Sequence, residues 1–541
     1  MSETAISPAG LADSLDGDDE VALLDVREAP GYAEGHVPGS TFVPRRVLER
    51  RLPELVPRTD TTVVLADAAG ERTPRDAAWL RHLGYADARH LDGGTRAWDD
   101  AGHEVESMSA GVYSTAFNVP SKRFGEVVEV ERDPPRVTPE QLAAWREAGE
   151  DVLVVDVRTP GEHRSETIPG AINVEGVDAP AYVEALRDEG QKVVVHCAGR
   201  TRSIVNSATL QRRGLSEVYG LEDGTSGWAL AGFELEYGSD RHVRNVELDE
   251  READAARSFA DDLLAEHSEI ARLSVAEFED LRDGEATVYP FDVRTTPEFE
   301  AGHVPDSIGV PGGQAIQRAD DYVAVRNGWV VCLSETLVRA AVTAYWYAEM
   351  GFENVAVLDG GIERWTDAGR ELETGCGPVV RLGLHRAVEQ SHSCRDPVGW
   401  PDVADAVRTE TPAWVDENDP LVLDVGRSER YREAHVPGSR WVSRTDLDDE
   451  AASATTKPVV LSSPTGTLAT YSAASLAHAG HDAVAVLGGG VTGWRDAGFA
   501  VETGDGSIEG RAADTVPTTT EQGEESMRGY LSWERDLPKD E

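Results

Sequence analysis

The chain has 541 residues, 40% of them hydrophobic, with 99 acidic against 51 basic side chains and a formal net charge of −48. That length supports several domains, each with its own core, while so acidic a surface repels phosphate and excludes nucleic acid as a partner. No run approaches the roughly 18 apolar residues of a membrane span, and the start, MSETAISPAGLADSL, lacks a basic region followed by an apolar core, so a cytoplasmic protein with no membrane partner is expected. Only Lys122, Lys192, Lys457 and Lys539 are lysines, and the acid is spread along the whole chain. Such a surface suits a very salty cytoplasm of the halophile kind, where charges are screened within about 3 Å at 1 M salt; a basic partner is the alternative reading. Four cysteines make no disulfide framework and fit a reducing compartment.

In chain order the sequence repeats itself four times. An apolar run ending in Asp-Val recurs at Asp25, Asp156, Asp292 and Asp424, and each copy is followed by a glycine-rich signature ending in tryptophan: Trp98, Trp228, Trp365 and Trp494. The Asp-to-Trp spacings are 73, 72, 73 and 70 residues, the mark of tandem units. Between the two signatures lie a turn-rich stretch, a second apolar run (TVVLAD, KVVVHC, WVVCLS, PVVLSS) and an alanine-rich helical segment closing on glycine. A third short apolar run follows. Continuous apolar strands alternating with helices predict α/β units, each a mainly parallel sheet flanked by helices, with any reactive site at the carboxyl ends of the strands.

The boundaries read as units at 1–110, 136–240, 268–375 and 408–506. The linkers are 111–135, the acidic, helical 241–267 and 376–407. The acidic tail 507–541 is expected to be disordered. Cys376, His392 and Cys394 fall in the third linker: too few ligands for zinc, and read either as incidental residues or, for the two cysteines, as a resolving pair.

The residue 31 positions before each tryptophan is Asp67, Cys197, Ser334 or Ser463, so one repeat in four carries a cysteine at the strand end. Cys332, two positions before Ser334, reads as core. In VVVHCAGRTRS a strand runs into Cys197 and the loop Ala198, Gly199, Arg200, Thr201, Arg202 and Ser203. Strand-to-helix turns aim unpaired amides inward, and arginines beside a thiol favour the thiolate. The loop thus predicts a cradle for a thiolate, a persulfide or an oxyanion, with Ser203 capping the next helix. Arg72 and Arg75 flank Asp67, which leaves a small ligand there as an open alternative.

These motifs, DVR…E…IPGA, CAGRTRS and the closing DG…GW…AG, resemble the rhodanese superfamily of sulfurtransferases in all four units, over roughly residues 10–505. Their order is similar to four-domain rhodanese-like proteins in which the second unit is intact; VPSKRFGEVVE and VPGGQ share that likeness. The resemblance implies that Cys197 takes a sulfane sulfur from a small donor such as thiosulfate or a mercapto-acid and passes it, as a persulfide, to a thiol or carrier-protein acceptor, with no metal or organic cofactor. It implies that amides 198–203 hold the persulfide and that Arg200 and Arg202 steer the anionic donor. The six-residue span from Cys197 to Arg202 favours sulfur over the phosphatase or arsenate-reductase chemistry of relatives with a longer loop. A noncatalytic sulfur carrier or partner-binding scaffold is the alternative of another class. Asp156 and Arg158 are read as bracing the sheet, with donor binding as the alternative, and Glu162 follows the family spacing. The second unit has Glu166 and Thr167 where the others have Gly-His or Ala-His, so His36, His303 and His435 are read as turn packing.

Overall fold

Alternation along the central strands explains both the apolar runs and the layering. In the second repeat Val193 and Val195 pack on one face of the sheet with Val155, Val183 and Leu210. Val194 packs on the other with Val137, Leu142, Ile168 and Trp228. A strand covered on both faces reads as unbroken valine. This sheet runs Arg136–Val137, Val218–Leu221, Lys192–His196, Val152–Asp156, Ile172–Asn173, with all pairings parallel. The other repeats use the same order, and the first adds an antiparallel strand, Val325–Arg326, against Val21–Asp25. The fold is α/β, four mainly parallel sheets flanked by helices. The computed structural model describes residues 4–108, 119–375, 407–508, 512–515 and 523–537, apart from 189, 244, 245, 247, 454–456 and 482. Cys376, His392 and Cys394 lie outside them.

Contacts divide the chain into two units, one holding the first and fourth repeats and the other the second and third. Within each, two repeats meet through equivalent helices. In the first unit His82 stacks on His478, ring centroids 4.6 Å apart, at matching positions of Thr73–His82 and Thr467–His478. In the second, Trp346 Nε1 donates to Thr209 Oγ1 at 3.0 Å, again at matching positions of Leu337–Glu349 and Thr201–Arg212.

The closing signature locks each unit. Trp98, Trp228, Trp365 and Trp494 are buried, and each indole N–H donates to the carbonyl six residues on, at 2.7–3.0 Å. Gly224 has φ +53° and lies so close to the Cys197 carbonyl that a Cβ would overlap it. Thr225 N donates to Cys197 O (2.9 Å) and Ser226 N to Ala198 O (3.0 Å). The glycine-rich signature therefore anchors the back of the loop 27 residues before it.

The connecting segments carry more structure than their composition suggests. The first linker contains a helix, Val119–Arg132. The acidic second linker forms the expected helix, Glu250–Glu266, started by an Asp249–Glu252 capping box. The tail, expected to be disordered, contains the helix Glu524–Arg535, which buries Leu531 and Glu534 in the second unit. Met527, Tyr530 and Leu531 recur at helical spacing, an apolar stripe that the acidic composition hid. Among the described residues no helix is long and apolar enough to cross a membrane.

Candidate active site

Cys197 follows the last residue of the strand Lys192–His196 and precedes the helix Thr201–Arg212, with only 2% of its surface exposed. Its Sγ lies 3.7 Å from Ser203 Oγ, to which the thiol donates. Ser203 does not cap the helix. The helix begins at Thr201, so Ser203 sits inside the first turn and its hydroxyl donates to Arg200 O at 2.8 Å.

The two loop arginines are both held by carboxylates. Arg200 donates to Glu126 through Nε (2.6 Å) and Nη2 (2.7 Å), and also pairs with Glu129 and Asp223. Glu126 and Glu129 come from the helix in the first linker, which approaches closely because Gly125 meets Thr201 with no room for a Cβ. Arg200 is thus bound into the wall of the loop rather than free to steer a donor. Arg202 makes a two-pronged pair with Glu162, 2.8 Å at each contact. Its buried Nε–H has no acceptor among the described residues. Burial would depress the Arg202 pKa, but Glu162, and then the nearby Cys197 sulfur, raise it. Glu162 is aimed by a capping box: Thr159 Oγ1 donates to it at 3.0 Å. Burial pushes the Glu162 carboxyl up, Arg202 outweighs that, and the result is a drop to about 2.

Asp156 and Arg158 form a turn brace. Arg158 donates to Asp156 through Nε (3.0 Å) and Nη2 (2.9 Å) and also reaches Glu166 O. The same brace joins Arg27 to Asp25 and Arg294 to Asp292 in repeats without the cysteine. The second repeat differs in what surrounds the carboxylate. Thr167 Oγ1 donates to Asp156 at 2.9 Å, and His163 Nδ1 lies 3.0 Å from it. His196 Nε2 lies 3.8 Å away. Burial would raise Asp156, yet His196, His163 and Arg158 hold it well below the usual carboxylate range. Burial pushes His196 down to about 4, so it is neutral at pH 7. In the other repeats the turn histidines His36, His303 and His435 stack on Tyr32, Phe299 and Tyr431 at 3.7–3.9 Å, with Nδ1 against a backbone carbonyl. The second repeat has His163 at the place of that aromatic ring, seven residues after the aspartate, and Thr167 at the place of the histidine.

The cysteine-free loops fill themselves. Asp67 accepts backbone N–H groups from Ala69 (2.9 Å), Gly70, Arg72 (3.0 Å) and Thr73 (3.2 Å). Ser463 Oγ accepts from Ala469 N at 3.3 Å, and Ser334 Oγ donates to Thr336 O. The third repeat keeps an arginine–glutamate pair where the second has Arg202 and Glu162: Arg339 donates to Glu298 at 3.0 Å. Cys332 is buried in its strand, and burial pushes its thiol far up, so it stays protonated.

The family model for the rhodanese-like domain matches residues 7–101, 138–231, 274–368 and 408–497. The chain belongs to the rhodanese family. A crystal structure of a thiosulfate sulfurtransferase from Pseudomonas aeruginosa aligns over 99% of this rhodanese chain and 97% of that one, at 33% identity and a TM-score of 0.84. Among curated proteins, a thiosulfate sulfurtransferase of the same organism is 30% identical over 264 residues, 41% of this chain and 93% of the relative. One from Azotobacter vinelandii is 27% identical over 263 residues, with the same shares.

Sequence reasoning missed Glu126, Glu129 and His163; it saw Thr167 in place of the turn histidine but not its bond to Asp156. The Gly-Glu pair inside VPSKRFGEVVE was visible, but read as linker. The replacement of the ring by His163 could be seen only by comparing all four repeats position by position.

Proposed function

We propose that this rhodanese is a sulfurtransferase that carries sulfane sulfur on Cys197. The Asp67 loop is the observation that supports it best. An aspartate places a charged acceptor two bonds from Cβ, as a cysteine persulfide does. Asp67 collects four amides there, and the matching donors around Cys197 belong to Gly199, Arg200, Arg202 and Ser203. A persulfide at Cys197 takes the place that the carboxylate occupies in the first repeat.

In this reading the Cys197 thiolate attacks the outer sulfur of thiosulfate. The new S–S bond forms as the old one breaks, and sulfite leaves with the bonding electrons. An acceptor thiolate, or cyanide in an assay, then attacks the terminal sulfur of the persulfide and frees the Cys197 thiolate. The Nε–H of Arg202, fixed in orientation by Glu162, faces the developing negative charge. Arg200 shapes the loop through Glu126 and Glu129. The other three repeats, lacking a thiol at this position, carry no sulfur.

Thiocyanate formation from thiosulfate and cyanide tests this. The reading predicts turnover that falls to background in Cys197→Ser, with no hydrolysis of aryl phosphates. Turnover that persists in Cys197→Ser, or phosphate hydrolysis without sulfur transfer, contradicts it.

A further inference from the structure

Twenty residues after the repeat aspartates stand Arg45 in the first repeat and Arg444 in the fourth; the second and third have Gly176 and Gly312 there. Gly176 packs against the backbone of Gly313, and a Cβ on Gly176 would lie 2.7 Å from it, so the second unit is closed at this point. The first unit instead has a cavity of about 180 Å³, whose charged lining is both arginines with Arg27, Arg72 and Arg75, and Asp67, Glu71, Asp76 and Asp448.

In this lining the arginines outnumber the carboxylates by one, and Arg27 and Arg72 are taken up by Asp25 and Asp446. Arg45 is paired with Glu49 and Asp76. Asp67 spends both oxygens on loop amides. Arg444 is 95% buried, and among the described residues it makes no ion pair; its guanidinium donates to the Ser475 hydroxyl. Arg45 shares the same hydroxyl at 3.4 Å, which leaves two buried guanidiniums side by side. Burial, reinforced by Arg45, draws the Arg444 pKa down to about 10. Glu49, Asp76 and Asp448 offset part of this through space, but a buried cation without a counter-charge in contact is costly. Arg75 completes the rim and reaches Asp448 only at 3.9 Å.

We propose that this cavity binds a small divalent oxyanion of the sulfate or thiosulfate class between Arg444, Arg45, Arg72 and Arg75. The volume is below the roughly 300–1,000 Å³ typical of drug-sized ligands, which suits a tetrahedral anion with a little water and not a nucleotide. The guanidinium forks supply paired donors to such oxygens. The site is separate from the Cys197 loop and works without a thiol, so it does not depend on the catalytic reading.

The test uses the full chain carrying Cys197→Ser, titrated calorimetrically with sodium sulfate at ionic strength held constant by chloride. A sulfate-binding event is expected that thiosulfate and phosphate displace. Arg444→Gln weakens it at least tenfold and Arg75→Gln, at the exposed rim, about threefold, while Asp448→Asn tightens it. Thiocyanate formation on the Cys197 background stays unchanged in Arg75→Gln and Arg444→Gln. Absence of sulfate binding at tens of millimolar, or an event unaltered in both arginine variants, overturns the proposal. Because Arg444 is buried and its replacement can disturb folding, Arg75→Gln provides an independent reading.

Discussion

The Asp67 and Cys197 loops are one backbone device with two occupants. In both, a strand leads into residue one of the loop and a helix follows. In the first repeat a carboxylate satisfies four loop amides permanently. In the second Cys197 occupies the spot, with its Sγ against Ser203 Oγ, and no built-in carboxylate takes that place. The difference extends to the arginine five residues on. Arg202 is buried and clamped by Glu162. Its counterpart Arg72 is 47% exposed and, among the described residues, pairs with Asp446 alone, because Gly31 stands where Glu162 does. A loop becomes reactive, on this account, when the internal acceptor is removed and the arginine is fixed.

The largest expected effect comes from Cys197→Ser, which takes thiocyanate formation to background. Arg202→Met should lower kcat/KM by about 10²-fold, the range for loss of one charge-stabilising donor, read in the same assay. Glu162→Gln keeps the arginine but loosens its aim, with an expected loss of roughly tenfold. A smaller effect than Arg202→Met is the expected sign of a positioning residue. Cys197→Asp copies the first repeat's solution. Denaturant unfolding should find it more stable than Cys197→Ser by about 1.5–3 kcal/mol, the usual worth of hydrogen bonds to a charged group; equal stability would break the comparison between the loops.

A further effect is in pH. His196 is depressed to about 4 by burial, whereas an unfolded histidine titrates near ~6.5. Between those values the unfolded chain binds a proton that the native chain does not, so stability rises with pH. The contribution is complete above pH ~6.5 and is lost as pH falls toward 4. His196→Asn should flatten that part of the profile in thermal melts.

Much of this was legible in the residues. The four-fold repetition gave the sheets, and counting back from the tryptophans singled out Cys197, because the tryptophan-to-loop distance is fixed by Gly224 packing on the Cys197 carbonyl. What stayed hidden depends on segments distant in sequence. Arg200 looked like a free cation because Glu126 and Glu129 sit over 70 residues earlier in what read as linker. The docking of Glu534, whose carboxylate accepts from Thr201 Oγ1 at 3.3 Å, joins residues 333 apart, and acidic composition outweighed the short apolar stripe beside it. Ser203 looked like a cap because caps are serines; one helical turn of Thr201 and Arg202 moved it inside.

In the proposed reading one loop of the four is the reactive one. Intact mass of the full chain after incubation with thiosulfate and removal of excess donor tests it most directly. A gain of one sulfur atom per chain is expected, mapped to Cys197 and absent in Cys197→Ser. A chain that gains no sulfur, or that gains it equally in Cys197→Ser, would contradict it.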